Sequence, residues 1–171
     1  AYAPDLYEGR IAATIEEAEG LLKSRDFERM DATAVGTVEY LRSHPAVRGA
    51  TLGVIGFSMG GGWAIYLSTL RPEDVAAVVL FYGIGEGDFG AARAAYLGHF
   101  AEVDEWEPAE GVRQMEEAMR SAGRDVSFYL YPGVGHWFFE DNRPDNYDAE
   151  ASTLAWERTL AFLRAHLGEM G

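Results

Sequence analysis

Apolar positions along the chain alternate between two periods. From Phe27 to Arg42, Met30, Ala34, Val38 and Leu41 recur at spacings of four, four and three, which predicts one apolar helical stripe. His44-Pro45 ends it, because the residue before a proline avoids the α region. Thr51–Phe57 is a short apolar run of strand length, and Met59–Leu70 turns helical until Arg71-Pro72. Val75–Tyr82 is a continuous β-branched and aromatic run, the pattern of a strand covered on both faces. Ala95–Ala101 and Val126–Tyr131 read as two more strands. Glu107–Ala122 reads as a helix with Val112, Met115 and Met119 on one face and Gly123 as its stop. Asp148–Leu167 reads as the last helix, with a stripe of Trp156, Leu160, Leu163 and Leu167. Residues 1–4 look like a strand remnant.

Strand and helix patterns therefore alternate, which predicts an α/β fold: a mostly parallel, doubly wound sheet flanked by helices. The 171 residues suit a single domain, 1–171.

Composition narrows the chemistry. Lys plus Arg number 14 and Asp plus Glu 28, a formal net charge of −14, which repels phosphate backbones and anionic lipid. Nucleic acid and membrane are accordingly not expected as partners. There is no cysteine, so disulfides, a thiol nucleophile and thiolate metal sites are excluded, and a cytoplasmic location is compatible with that. No apolar run reaches the ~18 residues of a membrane span.

Gly56-Phe57-Ser58-Met59-Gly60 matches G-x-S-x-G between a predicted strand and a predicted helix, the context that gives the pattern meaning. A serine on that sharp turn is strained, and flanking side chains would collide with the neighbouring strand and helix. Ser58 also lies at a helix N-terminus, where the Met59 N–H can donate to an oxyanion. The bland alternative is an N-capping serine in a glycine-rich turn. A serine nucleophile needs a base. Of the four histidines, only His136, in Gly133-Val134-Gly135-His136, lies in a loop after a strand, and histidine as a residue type titrates near neutrality. The acid belongs between serine and histidine in chain order, which favours Asp104, just after the strand at 95–101. Glu102, Glu105 and Asp88 are rivals, and Asp104 has the alternative of capping the next helix. Glu140, Asp141, Asp145 and Asp148 near His136 fit no calcium-loop spacing and read as a polar entry to the last helix, so no metal is expected. Gly83–Gly90 lacks a phosphate-binding pattern, so no nucleotide cofactor is expected. Tyr82, Trp106, Trp137, Phe138 and Phe139 are candidates for an apolar substrate pocket or for core.

With these residues in hand, the chain resembles the dienelactone hydrolase family of α/β-hydrolases. The resemblance rests on Ala3-Pro4-Asp5-Leu6-Tyr7, Gly56-Phe57-Ser58-Met59-Gly60-Gly61, the run from Gly98 to Asp104, the run from Tyr131 to Phe139, and Ala155-Trp156-Glu157-Arg158-Thr159-Leu160-Ala161-Phe162-Leu163. It implies an α/β-hydrolase fold, a cofactor-free ester or lactone hydrolase, and Ser58, Asp104 and His136 in the triad positions. There are departures. The best-known members carry a cysteine nucleophile. Members that bind dienelactone hold its carboxylate with arginines; one falls four residues past the histidine, where this chain has Glu140, and Arg10 lies one position off the other. Glu140 is expected to repel an anionic substrate. Family members also begin some 50–60 residues earlier, by resemblance. The expectation is thus an N-terminally incomplete domain whose sheet is completed by a preceding segment or a second subunit, with a second oxyanion donor in that part. The rival from another class is a non-catalytic binding or assembly module on the same fold.

Overall fold

The computed structural model describes residues 1–168. The chain divides into two compact units, Ala1–Arg48 and Gly49–Gly171.

The first unit is helical. α1 spans Ile15–Lys23 and α2 Phe27–Ser43. α1 is absent from the periodicity reading; it is short, and none of its residues is buried. Its start is nonetheless written in the sequence: Thr14 accepts from the Glu17 N–H, a Ser/Thr-x-x-Glu signature. α2 starts at Asp26, whose carboxylate accepts from the Arg29 N–H, and ends at His44, which is extended as the following proline requires. Met30, Ala34 and Val38 are buried, as the stripe predicts. The strand remnant expected at residues 1–4 is a correction: they carry no strand, since a strand needs a partner ladder and this unit holds only helices.

The second unit is an α/β sandwich. β1 (Leu52–Phe57), β2 (Val75–Phe81), β3 (Ala95–Val103) and β4 (Val126–Gly135) form a sheet in that spatial order, every pair parallel. α3 (Met59–Leu70), α4 (Ala109–Ser121) and α5 (Ala149–Leu167) cover it. Ala64 and Ile65 of α3 and Val112, Met115 and Met119 of α4 pack on one face, with Val78, Leu80, Tyr96 and Phe100. Ala151, Ala155 and Leu163 of α5 pack on the other, with Ala77, Val79, Phe81, Leu97 and Ala101. β2 is buried along nearly its whole length, which explains its unbroken apolar run.

α5 differs from its predicted stripe. The buried positions are Ala151, Ser152, Ala155, Thr159 and Leu163, whereas Trp156 is 41% exposed. Small side chains let the helix lie close on the sheet. Thr159 is needed inward because its Oγ1 pairs with His99 Nε2 at 3.0 Å. A hydropathy stripe does not register that polar contact.

β3 and β4 both run past their predicted ends, by two and four residues, carrying the chain toward the edge where strands deliver their C-termini. No helix among the described residues is long and apolar enough to cross a membrane.

Candidate active site

β1 ends at Phe57 and α3 begins at Met59, leaving Ser58 alone to make the turn. Its φ is 50° and ψ −120°, a conformation a non-glycine residue holds only when its surroundings impose it. The Ser58 N–H donates to Phe81 O at 2.9 Å, and Ser58 O accepts from the Gly61 N–H at 2.8 Å. The turn is closed sterically by Gly56, where a Cβ would lie 2.2 Å from Gly60 O, and by Gly83, where a Cβ would lie 2.2 Å from Ser58 O. Gly60 departs from expectation. A Cβ there meets nothing within 4 Å, so the second glycine of the motif is not sterically required.

Ser58 does not cap α3 with its side chain. Its hydroxyl instead lies 3.0 Å from His136 Nε2. His136 Nδ1 donates toward both oxygens of Asp104, at 3.0 and 2.9 Å. The three groups come from loops after β1, β3 and β4, at one edge of the sheet. Residues 32 and 78 positions apart in the chain meet there. The side chains of His136 and Asp104 are 4% and 3% exposed, so the pair is shielded from competing water.

Asp104 is fixed further by the Trp106 and Glu107 N–H groups, which donate to Oδ1 at 2.9 and 3.0 Å. Burial works against its charge, but the hydrogen bonds from His136 and these two backbone groups outweigh it and hold the carboxyl below its usual range. It does not cap α4, whose N-cap is Pro108. Two of the three rival carboxylates are engaged elsewhere: Glu102 accepts from the Gly133 N–H, and Asp88 from the Gly90 and Ala91 N–H groups. Met59 is the first residue of α3, at the positive end of its dipole.

Aromatic side chains surround His136. Tyr82, fully buried, lies 4.8 Å away between ring centroids; Trp137 lies 4.9 Å away and edge-on. The Tyr82 hydroxyl donates to Glu140 at 3.2 Å, and burial first, then the Glu140 charge, pushes its pKa well above that of an ordinary phenol. Glu140 also accepts from Arg143 Nε at 2.6 Å, and the Arg143 guanidinium sits 4.5 Å over the Trp137 ring. Sequence reasoning missed this strap, because Arg143 has no motif of its own. It changes the picture of Glu140, whose charge is paired with a cation, so the repulsion expected of a lone carboxylate is offset.

Arg10 belongs to the first unit, where it is exposed and its Nε donates to Tyr7 O at 3.2 Å. Asp148 caps α5 by accepting from the Ala151 N–H, as a polar helix entry should. Among the described residues no three His, Asp or Glu are grouped to hold a metal ion. A cavity of about 390 Å³ lies between the loop after β2 and α4, lined by Ile84, Phe89, Gln114, Met115 and Ala118, and none of Ser58, Asp104 or His136 lines it.

Known proteins are similar to this chain in sequence and fold. Protein usf of Aquifex pyrophilus is 32% identical, over 98% of this chain and 75% of its own length. A protein of Aquifex aeolicus named for carboxymethylenebutenolidase is 30% identical over the same shares. A crystal structure from Klebsiella pneumoniae subsp. pneumoniae, assigned to dienelactone hydrolase, superposes with a TM-score of 0.81 at 22% identity, covering 95% of this chain and 74% of that one. At that identity the superposition speaks for the α/β-hydrolase fold. The dienelactone hydrolase family model matches residues 1–167, and the chain therefore belongs to the dienelactone hydrolase family, a family of hydrolases.

Proposed function

We propose that the protein hydrolyses carboxylic esters or lactones through Ser58, His136 and Asp104. The observation that carries this reading is the unbroken hydrogen-bonded line from Ser58 Oγ through His136 to Asp104.

In this reading Ser58 Oγ attacks the carbonyl carbon while His136 Nε2 takes its proton. Asp104 holds the tautomer in which Nδ1 carries hydrogen and Nε2 is free to accept, and it offsets the positive charge of the imidazolium that forms. The Met59 N–H donates to the tetrahedral oxyanion. The imidazolium then gives its proton to the leaving oxygen, and the C–O bond breaks to leave an acyl-Ser58 ester. Water, losing a proton to Nε2, attacks that ester and releases the acid. No cofactor takes part. Trp137, half-buried, faces the substrate beside His136, and the fully buried Tyr82 backs the imidazole from inside.

The test is hydrolysis of a short p-nitrophenyl ester by the protein and by Ser58→Ala, with intact-mass analysis after a fluorophosphonate probe. The expected result is activity that disappears in the variant and a single adduct on Ser58. A folded protein that neither turns over the ester nor takes up the probe would instead be a non-catalytic member of the fold.

A further inference from the structure

We infer that Trp106 and Trp137 form a clamp for an aromatic leaving group, so that the preferred substrates are esters of uncharged aryl or arylalkyl alcohols. The inference rests on the proposed serine-hydrolase reading.

His136 sets where the leaving group lies. In that reading its Nε2 must pass a proton to the leaving oxygen, so this oxygen lies within hydrogen-bond reach of the imidazole. Whatever is attached to it then lies along the groups that flank the ring. On the inner side stands Tyr82, which is fully buried and closes that direction. On the outer side stands Trp106, whose ring centroid is 6.3 Å from that of His136 and which is 47% exposed. Trp137 lies 4.9 Å from His136, and the two indoles are 5.9 Å apart, inclined at 56°. They are tilted against each other rather than stacked, so a third ring packs offset or edge-on against their open apolar faces and not between them.

Both residues are placed by the triad loops themselves. The Trp106 backbone N–H donates to Asp104 Oδ1, which fixes the main chain that carries the ring. Trp137 directly follows His136 and holds a φ of 66°, a strained conformation for an aromatic residue. Its ring is backed by Arg143, which donates to Glu140, and Glu140 also accepts from the Tyr82 hydroxyl. Core packing does not account for Trp106, since half of its large surface remains open beside the proton donor. A ligand ring covering it gains from burial and from ring–ring geometry.

The experiment compares two acetates, benzyl and methyl, whose acyl-enzymes are identical, so that kcat/KM reports acylation and differs only through the alcohol. The expected result is a benzyl-over-methyl preference of about tenfold or more in the wild type. In Trp106→Ala that ratio falls about tenfold, and in Trp106→Phe it is largely retained. Product inhibition by benzyl alcohol weakens in parallel. A ratio unchanged in Trp106→Ala, even with both rates lowered, overturns the clamp, as does a wild type without preference. Ser58-dependent turnover of both acetates without the preference would sink the clamp alone. Turnover of neither acetate, with no fluorophosphonate adduct, would sink the hydrolase reading and the clamp with it.

Discussion

At the residue scale the site is a set of constraints on a few atoms. Asp104 orients His136 through a hydrogen bond that an amide can mimic only by presenting the wrong donor–acceptor pattern. Asp104→Asn is therefore expected to lower kcat by about 10³–10⁴ with little effect on KM, measured by steady-state hydrolysis. The glycines of the turn are not equivalent. Gly56→Ala and Gly83→Ala drive a methyl into backbone at 2.2 Å, which the turn cannot relieve by rotating a side chain. Each is expected to destabilise the fold by about 3 kcal/mol or more. Gly60→Ala meets open space within the first turn of α3, so a gain of roughly 0.5–1 kcal/mol is expected from the lower entropy of the unfolded chain. Denaturant titration of the three variants checks the contrast, and equal losses in all three would contradict it.

At the element scale β3, β4 and α5 are joined by a buried polar cluster. Arg158 donates to the Tyr131 hydroxyl at 3.1 Å, and that hydroxyl lies 2.9 Å from His99 Nδ1. Since arginine can only donate, the tyrosine oxygen accepts from it and gives its own proton to Nδ1. His99 then carries hydrogen on Nε2 and donates to Thr159. This arrangement needs a neutral imidazole. Burial first, then the Arg158 charge, lowers the His99 pKa to about 3. The unfolded chain binds a proton there below the ordinary histidine pKa near 6.5, while the folded chain does not until about pH 3. His99 thus stabilises the fold fully above that ordinary value. Its contribution is lost as pH falls toward 3, at a slope of at most about 1.4 kcal/mol per pH unit. In His99→Gln the acid limb of stability against pH should flatten. If urea midpoints between pH 7 and 4 shift equally in both proteins, the cluster is not the source of the acid sensitivity.

At the scale of the whole molecule charge is the dominant feature. Acidic side chains exceed basic ones by 14, so uncompensated repulsion outweighs the exposed ion pairs, each worth little. Salt screens attraction and repulsion alike, and because repulsion dominates here, the net result of screening is stabilising. Raising sodium chloride from about 20 mM to about 0.5 M is therefore expected to raise Tm by several degrees in a differential scanning experiment. A flat or falling Tm would mean that acidic groups are spaced widely enough not to interact.

Much of this was legible in the sequence, and the boundary has a physical origin. Local rules decided the elements: the stripes of α2 and α4, the closed run of β2 and the proline stop after α2 depend on neighbours a few positions away. The elbow at Ser58 was equally local, because strand, serine and helix adjoin. Where a reading needed partners far along the chain, only the tertiary structure could decide. The hydrogen bond between Asp104 and His136 exists because the loops after β3 and β4 come together, while Glu102 and Asp88 bond to backbone N–H groups instead. The inward position of Thr159 on α5 answers His99, sixty positions away, a polar contact that hydropathy does not register. The pairing of Glu140 with Arg143 and Tyr82, which turns an expected repulsion into a strap beside His136, joins residues 3 and 58 positions apart. Periodicity records how a segment buries its own apolar face; it carries no information on which distant polar group will stand opposite.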